Sequence, residues 1–109
     1  MPFLHKELAE GGWSRLSLSE QMGNIGSEVS RAALWQGKDA ASFQAAVLRA
    51  LELFDLTVRD PRWGARLKEI CRSREVFCDA AMGEQEYGSL LADLEPYFDD
   101  FAIAARAQK

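Results

Sequence analysis

The sequence predicts an all-α fold, an antiparallel bundle of about four helices, on three observations. Apolar residues recur at three-and-four spacing in four stretches, such as Leu18, Met22, Ile25, Val29 and Ala32, or Trp63, Leu67, Ile70, Phe77 and Ala81. Helix start signals precede these stretches, and glycine or proline stands between them. No stretch alternates apolar and polar residues as a half-buried strand does. Greasy stripes of this kind bury best against one another, and short links suit antiparallel neighbours.

Residues 1–16 read as an arm or short lead-in helix, with Phe3, Leu4, Leu8 and Trp13 available for packing and Gly11-Gly12 as a break. Residues 17–109 read as one helical-bundle domain. The first helix is expected near 17–36. Ser17 and Glu20 form a capping box at its start, and Gly37 suits the residue just past its end. The second is expected near 39–59, capped by Asp39. It carries Phe43, Val47, Leu48, Leu51, Phe54 and Val58, with Leu53 and Leu56 widening the stripe, which predicts the most buried helix. The third is expected near 61–82. Pro61 loses nothing at a first helical position, Asp60 caps it, and Gly83 ends it. Gly83 to Ser89 reads as a loop, with Ser89 a candidate cap for a fourth helix near 89–107 that carries Leu90, Leu94, Phe98, Phe101 and Ala105. Pro96 removes a donor and clashes with the Ala92 carbonyl, so a kink or a split is expected there.

A chain of 109 residues fits one domain, and 48% apolar residues supply a core. The balance of 13 Lys and Arg against 17 Asp and Glu leaves a net charge of −4, which disfavours general nucleic-acid binding. Six of the basic residues nevertheless fall between Arg59 and Arg74, so Arg59, Arg62, Arg66 and Arg72 are candidate phosphate contacts. No apolar run reaches the roughly 18 residues of a membrane span, and Met1 to Glu10 lacks the apolar stretch of an export signal. Cys71 and Cys78, seven residues apart on one helix, lie roughly 10 Å apart, too far for a disulfide. They read as small apolar residues of a reducing compartment, and the expected localisation is cytoplasmic.

Gly23, Gly26, Ser27 and Ser30 put small residues on one side of the first helix. Glycine inside a helix costs about 1 kcal/mol relative to alanine, so two of them imply close approach of another backbone. Charged residues also recur at helical spacing: Asn24, Glu28 and Arg31; Arg49, Glu52 and Asp55; and Arg66, Glu69 and Arg72, extended by Glu75 and Asp79. The plainest reading is a solvated face with intrahelical pairs. A sharper one takes Glu52 and Asp55, with Glu28 from a neighbouring helix, as ligands for Mg²⁺ and a phosphate substrate. Glu52-x-x-Asp55 resembles the second acidic pair of the all-α nucleoside-triphosphate pyrophosphatases. The preceding E-x-x-E pair has no clear match: Glu20 and Glu28 stand eight apart, and Glu7-x-x-Glu10 lies in the arm. The single histidine, His5, sits near the chain end, and no zinc-ligand cluster or phosphate loop occurs. Trp35, Phe43, Phe54, Trp63, Phe77, Phe98 and Phe101 fall mainly on the apolar stripes and read as core.

The segments Gln21–Val29, Arg49–Thr57, Arg74–Asp79 and Phe101–Arg106 together resemble a family of small, uncharacterised bacterial helical proteins, over most of the chain from Trp13 onward. That resemblance implies a prokaryotic cytoplasmic protein of one free-standing domain, and carries over no activity. The expectation is therefore a non-enzymatic bundle with no cofactor and no catalytic residue, acting through protein–protein contact as a homo-oligomer. A Mg²⁺-dependent phosphohydrolase using Glu28, Glu52 and Asp55 is the second reading. A nucleic-acid accessory protein is the third.

Overall fold

A computed structural model describes residues 11–83 and 90–107, and the start signals operate as the sequence predicts. The Ser17 hydroxyl accepts from the Glu20 N–H at 3.1 Å, while the Glu20 carboxylate accepts from the Ser17 N–H at 3.0 Å, opening α1 (Leu18–Trp35). Asp39 accepts from the Ala41 and Ser42 N–H groups and opens α2 (Ala40–Arg59). Between them Gly37 holds φ at +77°, a left-handed conformation that side chains resist. α3 (Leu67–Met82) ends at Gly83, and α4 (Leu91–Ala107) follows. The Leu90 N–H donates to Asp93 at 3.2 Å, a reach-back contact at the start of α4. Ser89 lies outside the described residues. Among the described residues there is no strand, and the chain is an all-α bundle.

One local expectation needs correction. The third helix does not begin as an α-helix at Pro61. Pro61–Arg66 wind as a 3₁₀ segment with Trp63 at φ −102°, ψ 21°, and only from Leu67 does the α-helix run. The cause is tertiary: the Trp63 indole donates to Gln21 and Arg62 to the Leu16 carbonyl, both distant in sequence. Of the two outcomes expected at Pro96 the split does not occur: the last helix runs continuously from Leu91 to Ala107. Ala92, whose carbonyl loses its usual partner, is exposed, so water can serve it.

A buried polar clamp ties the start of the described chain to the α2–α3 junction. Gln21 is fully buried; its amide donates to the Trp13 carbonyl at 2.9 Å and to Asp60 at 3.1 Å, and accepts from Trp63 at 2.8 Å. Trp13, also buried, donates its indole N–H to the Thr57 hydroxyl at 3.0 Å. Arg62 donates to Asp60 at 2.7 Å and to the Leu16 carbonyl at 2.7 Å, with its guanidinium 4.3 Å over the Trp63 ring. Every polar group of the clamp that is buried finds a partner, the condition for such a network to stabilise rather than cost. The Arg62 hydrogen bonds, helped by Gln21, lower the Asp60 pKa from 3.8 to about 2 against the opposing effect of burial.

α1 is the central helix, packed along its length on α2 and on α4, whereas α3 and α4 touch at few points. The α1–α4 contact runs through glycine. A Cβ placed on Gly26 falls 2.5 Å from the Phe98 Cβ, and one on Gly23 falls 3.3 Å from the Ala102 backbone. Phe98 in turn meets Phe54 edge-on at 6.1 Å, and Phe54 lies 5.8 Å from Phe77, so one aromatic row joins α4, α2 and α3.

Two outcomes follow from this geometry. Gly26→Ala must push α4 away, so it lowers stability by about 1 kcal/mol despite the better helix propensity of alanine. Gly23→Ala, against a contact that yields by tenths of an ångström, stays within about 0.5 kcal/mol of the parent in urea unfolding. A Gly26→Ala protein stabilised by the full propensity gain contradicts the close approach. The second outcome concerns acid. Asp60 has a folded pKa below its unfolded value, so its contribution is complete above pH 3.8 and lost as pH falls towards about 2. Melting temperatures taken down that range fall more shallowly for Asp60→Asn than for the parent; parallel slopes contradict the clamp.

Candidate functional site: the α3–α4 cleft

Because α4 is drawn onto α1, it leaves a cleft beside α3. Glu69, Ser73 and Val76 recur at four-and-three spacing on α3, with Arg72 beside them; Leu94, Tyr97 and Phe98 face them from α4. These side chains enclose about 320 Å³, at the small end of ligand-sized cavities, with an apolar floor of Val76, Leu94 and Phe98. Tyr97 is fixed from behind by rings, edge-on to Phe98 at 5.2 Å and to Phe101 at 5.3 Å.

The polar rim is a relay of hydrogen bonds. Tyr97 donates its phenol proton to Glu69 Oε1 at 3.0 Å, and Arg66 donates to Glu69 Oε2 at 2.9 Å. The Ser73 hydroxyl lies 3.1 Å from the Tyr97 oxygen and 3.0 Å from the Glu69 carbonyl, so its one proton serves those two acceptors. Arg66 holds the Glu69 carboxyl below the usual carboxylate range, with Tyr97 adding to the effect and burial opposing it. Burial raises the Tyr97 phenol above its usual value; the Glu69 carboxylate adds to this and Ser73 opposes it. Both pKa values therefore move away from neutrality. Glu69 stays an ionised acceptor and Tyr97 a protonated donor, whereas a general acid or base works best near the operating pH.

The residues singled out in the sequence are distributed differently. Glu28, Glu52 and Asp55 do not converge: among the described residues no three His, Cys, Asp or Glu gather as a metal site. Asp55 instead accepts from Arg74 at 3.2 Å. Glu28 is not on a solvated face as expected; it is buried, one oxygen held by Arg31 at 2.6 Å and the other without a hydrogen-bond partner. Its position explains this, since Leu18, Gln21, Ile25, Glu28 and Ala32 share one three-and-four stripe and all are buried. Asp79 departs from the same expectation and is buried too. Of the four arginines, Arg62 is committed to Asp60 and Leu16, and Arg66 to Glu69, so neither offers a free guanidinium to a phosphate. Gly23 and Gly26 lie against Ala102 and Phe98; Ser27 is exposed, 3.4 Å from the Gly23 carbonyl, and Ser30 is half-buried. Trp35, read as core, is more than a third exposed.

Tyr97 and Ser73 escaped the sequence reading. Each sits at helical spacing from an apolar neighbour, Tyr97 from Leu94 and Phe101, Ser73 from Ile70 and Phe77, and that is the only signal they carry. Comparison with family models, with curated proteins and with solved structures finds no match to this chain.

Glu28→Leu tests whether that carboxylate serves the fold. It removes a buried charge with an unserved oxygen and leaves Arg31, which is 59% exposed, to water. Stability rises by about 1 kcal/mol in chemical denaturation. A loss of that size contradicts the reading of Glu28 as a buried carboxylate that the fold does not need.

Proposed function

We propose that this chain is an interaction module rather than an enzyme, and that the α3–α4 cleft seats apolar side chains of a protein partner. The observation that carries this reading is the cleft itself. It joins an apolar floor at the surface to a rim whose donors and acceptors are fixed in advance, which lowers the ordering cost of binding. Helix-in-groove recognition uses such a surface, with anchors presented at three-and-four spacing. Among the described residues seven large apolar side chains are also exposed, including Leu90 just before α4.

A display library of amphipathic helical peptides tests the proposal directly. Selected peptides bind with micromolar Kd, and Leu94→Arg, which places a charge on the half-buried floor, weakens them by at least roughly tenfold. Failure to select any binder, or binding untouched by Leu94→Arg in a protein of normal helicity, contradicts it.

A further inference from the structure

We propose that the groove between α1 and α2 is a binding site for an organic anion, a carboxylate or phosphate carried on an aromatic ring. It is separate from the α3–α4 cleft and does not depend on how that cleft is used. Arg31 and Trp35 line the groove from α1; Arg49 and four small residues between positions 41 and 46 line it from α2. Together they enclose about 320 Å³, room for a small ligand.

The deciding residue is Arg49. It is half-buried on the inward strip of α2, with Ala46 three residues before it and Leu53 four after, both buried. An arginine drawn out of water in this way is ordinarily paired. Arg49 makes no hydrogen bond or ion pair among the described residues. Arg31 spends one of its five N–H groups on Glu28 at 2.6 Å and leaves the others available. Glu28 balances Arg31 but is buried and does not line the groove, and among the described residues no other acid does. The charge of Arg49 is therefore unopposed.

The groove also has two unlike ends. α1 and α2 run back from one turn, so Trp35 and Ala41 stand beside it. Arg31 lies about 6 Å further along α1 and Arg49 about 12 Å further along α2. At the arginine end, planar forks of N–H donors match the oxygens of a carboxylate or phosphate. At the turn end, Trp35 is 37% exposed and the alanines beside it carry nothing beyond Cβ, which leaves space for a flat ring against the indole. An inorganic ion would use the first end only, so the ligand class is an anion with an aromatic body.

Titration of the full chain, followed by amide and side-chain nitrogen–proton spectra, tests this with four probes: phenyl phosphate, phenylacetate, inorganic phosphate and phenol. At least one of the two aromatic anions is expected to bind with Kd of about 1 mM or tighter, shifting the Arg49 and Trp35 side-chain signals. Comparison of those two separates phosphate from carboxylate as the head group. Inorganic phosphate, without the ring, and phenol, without the charge, are each expected to bind at least roughly tenfold more weakly. Arg49→Gln weakens the aromatic anion by roughly tenfold or more, and so does Arg31→Gln, whose exposed position keeps the test within a folded protein.

No binding of either aromatic anion at about 10 mM overturns the proposal. Inorganic phosphate as tight as phenyl phosphate overturns the aromatic body, and phenol as tight as phenylacetate overturns the anion. Binding untouched by both arginine variants at normal helicity overturns the site, as do shifts confined to Leu94 and Tyr97, which place the ligand in the other cleft.

Discussion

The approach of α4 to α1 at Gly26 sets the rest of the architecture. Where a side chain at that position would collide with Phe98, the bare backbone lets α4 settle directly onto α1. Helix packing is a contest for partners, and α4 has a limited apolar stripe to share. Having spent it on α1, with Phe98 reaching through to Phe54, it has little left for α3. The cleft is what remains, bridged by Ser73, Tyr97 and Glu69 and floored by Val76 and Leu94. Two glycines on one helix thus shape a surface on the far side of another.

The polar clamp solves a different problem. α1 and α2 are joined by a tight turn and hold each other, but the 3₁₀ segment after Asp60 has few apolar contacts and no buried residue of its own. Its position is fixed by directed bonds instead: Gln21 to Asp60 and Trp63, and Arg62 to Asp60 and the Leu16 carbonyl. Because each buried donor and acceptor in the set is served, the cost of burying a glutamine and an aspartate is offset where it arises. Glu28 shows the contrast. It is buried on the same helix with one oxygen held by Arg31 and the other unserved.

Much of the fold was legible in the residues. The capping box at Ser17 and Glu20, the cap at Asp39 and the glycines at 37 and 83 each follow local rules, and each marks a helix end as read. Those features act over three or four residues, which is the range a single sequence reports. The misreadings are all tertiary. Trp63 leaves the helix because Gln21, 42 residues away, offers an acceptor. Gln21 and Glu28 are buried because their stripe faces neighbours, although their polarity argues for water. The cleft carried no signal at all, since it depends on which faces fail to meet, and Tyr97 on an apolar stripe looks like any other core ring.

α1 and α4 meet at the glycine positions, Gly26 against the Phe98 side chain and Gly23 against Ala102. Nuclear Overhauser contacts measure this most directly, between the Gly26 Hα protons and the Phe98 β protons and between the Gly23 Hα protons and the Ala102 methyl. Strong cross-peaks are expected for both pairs. Their absence in a well-dispersed spectrum, with Phe98 contacting α3 instead, would contradict this meeting and close the cleft with it.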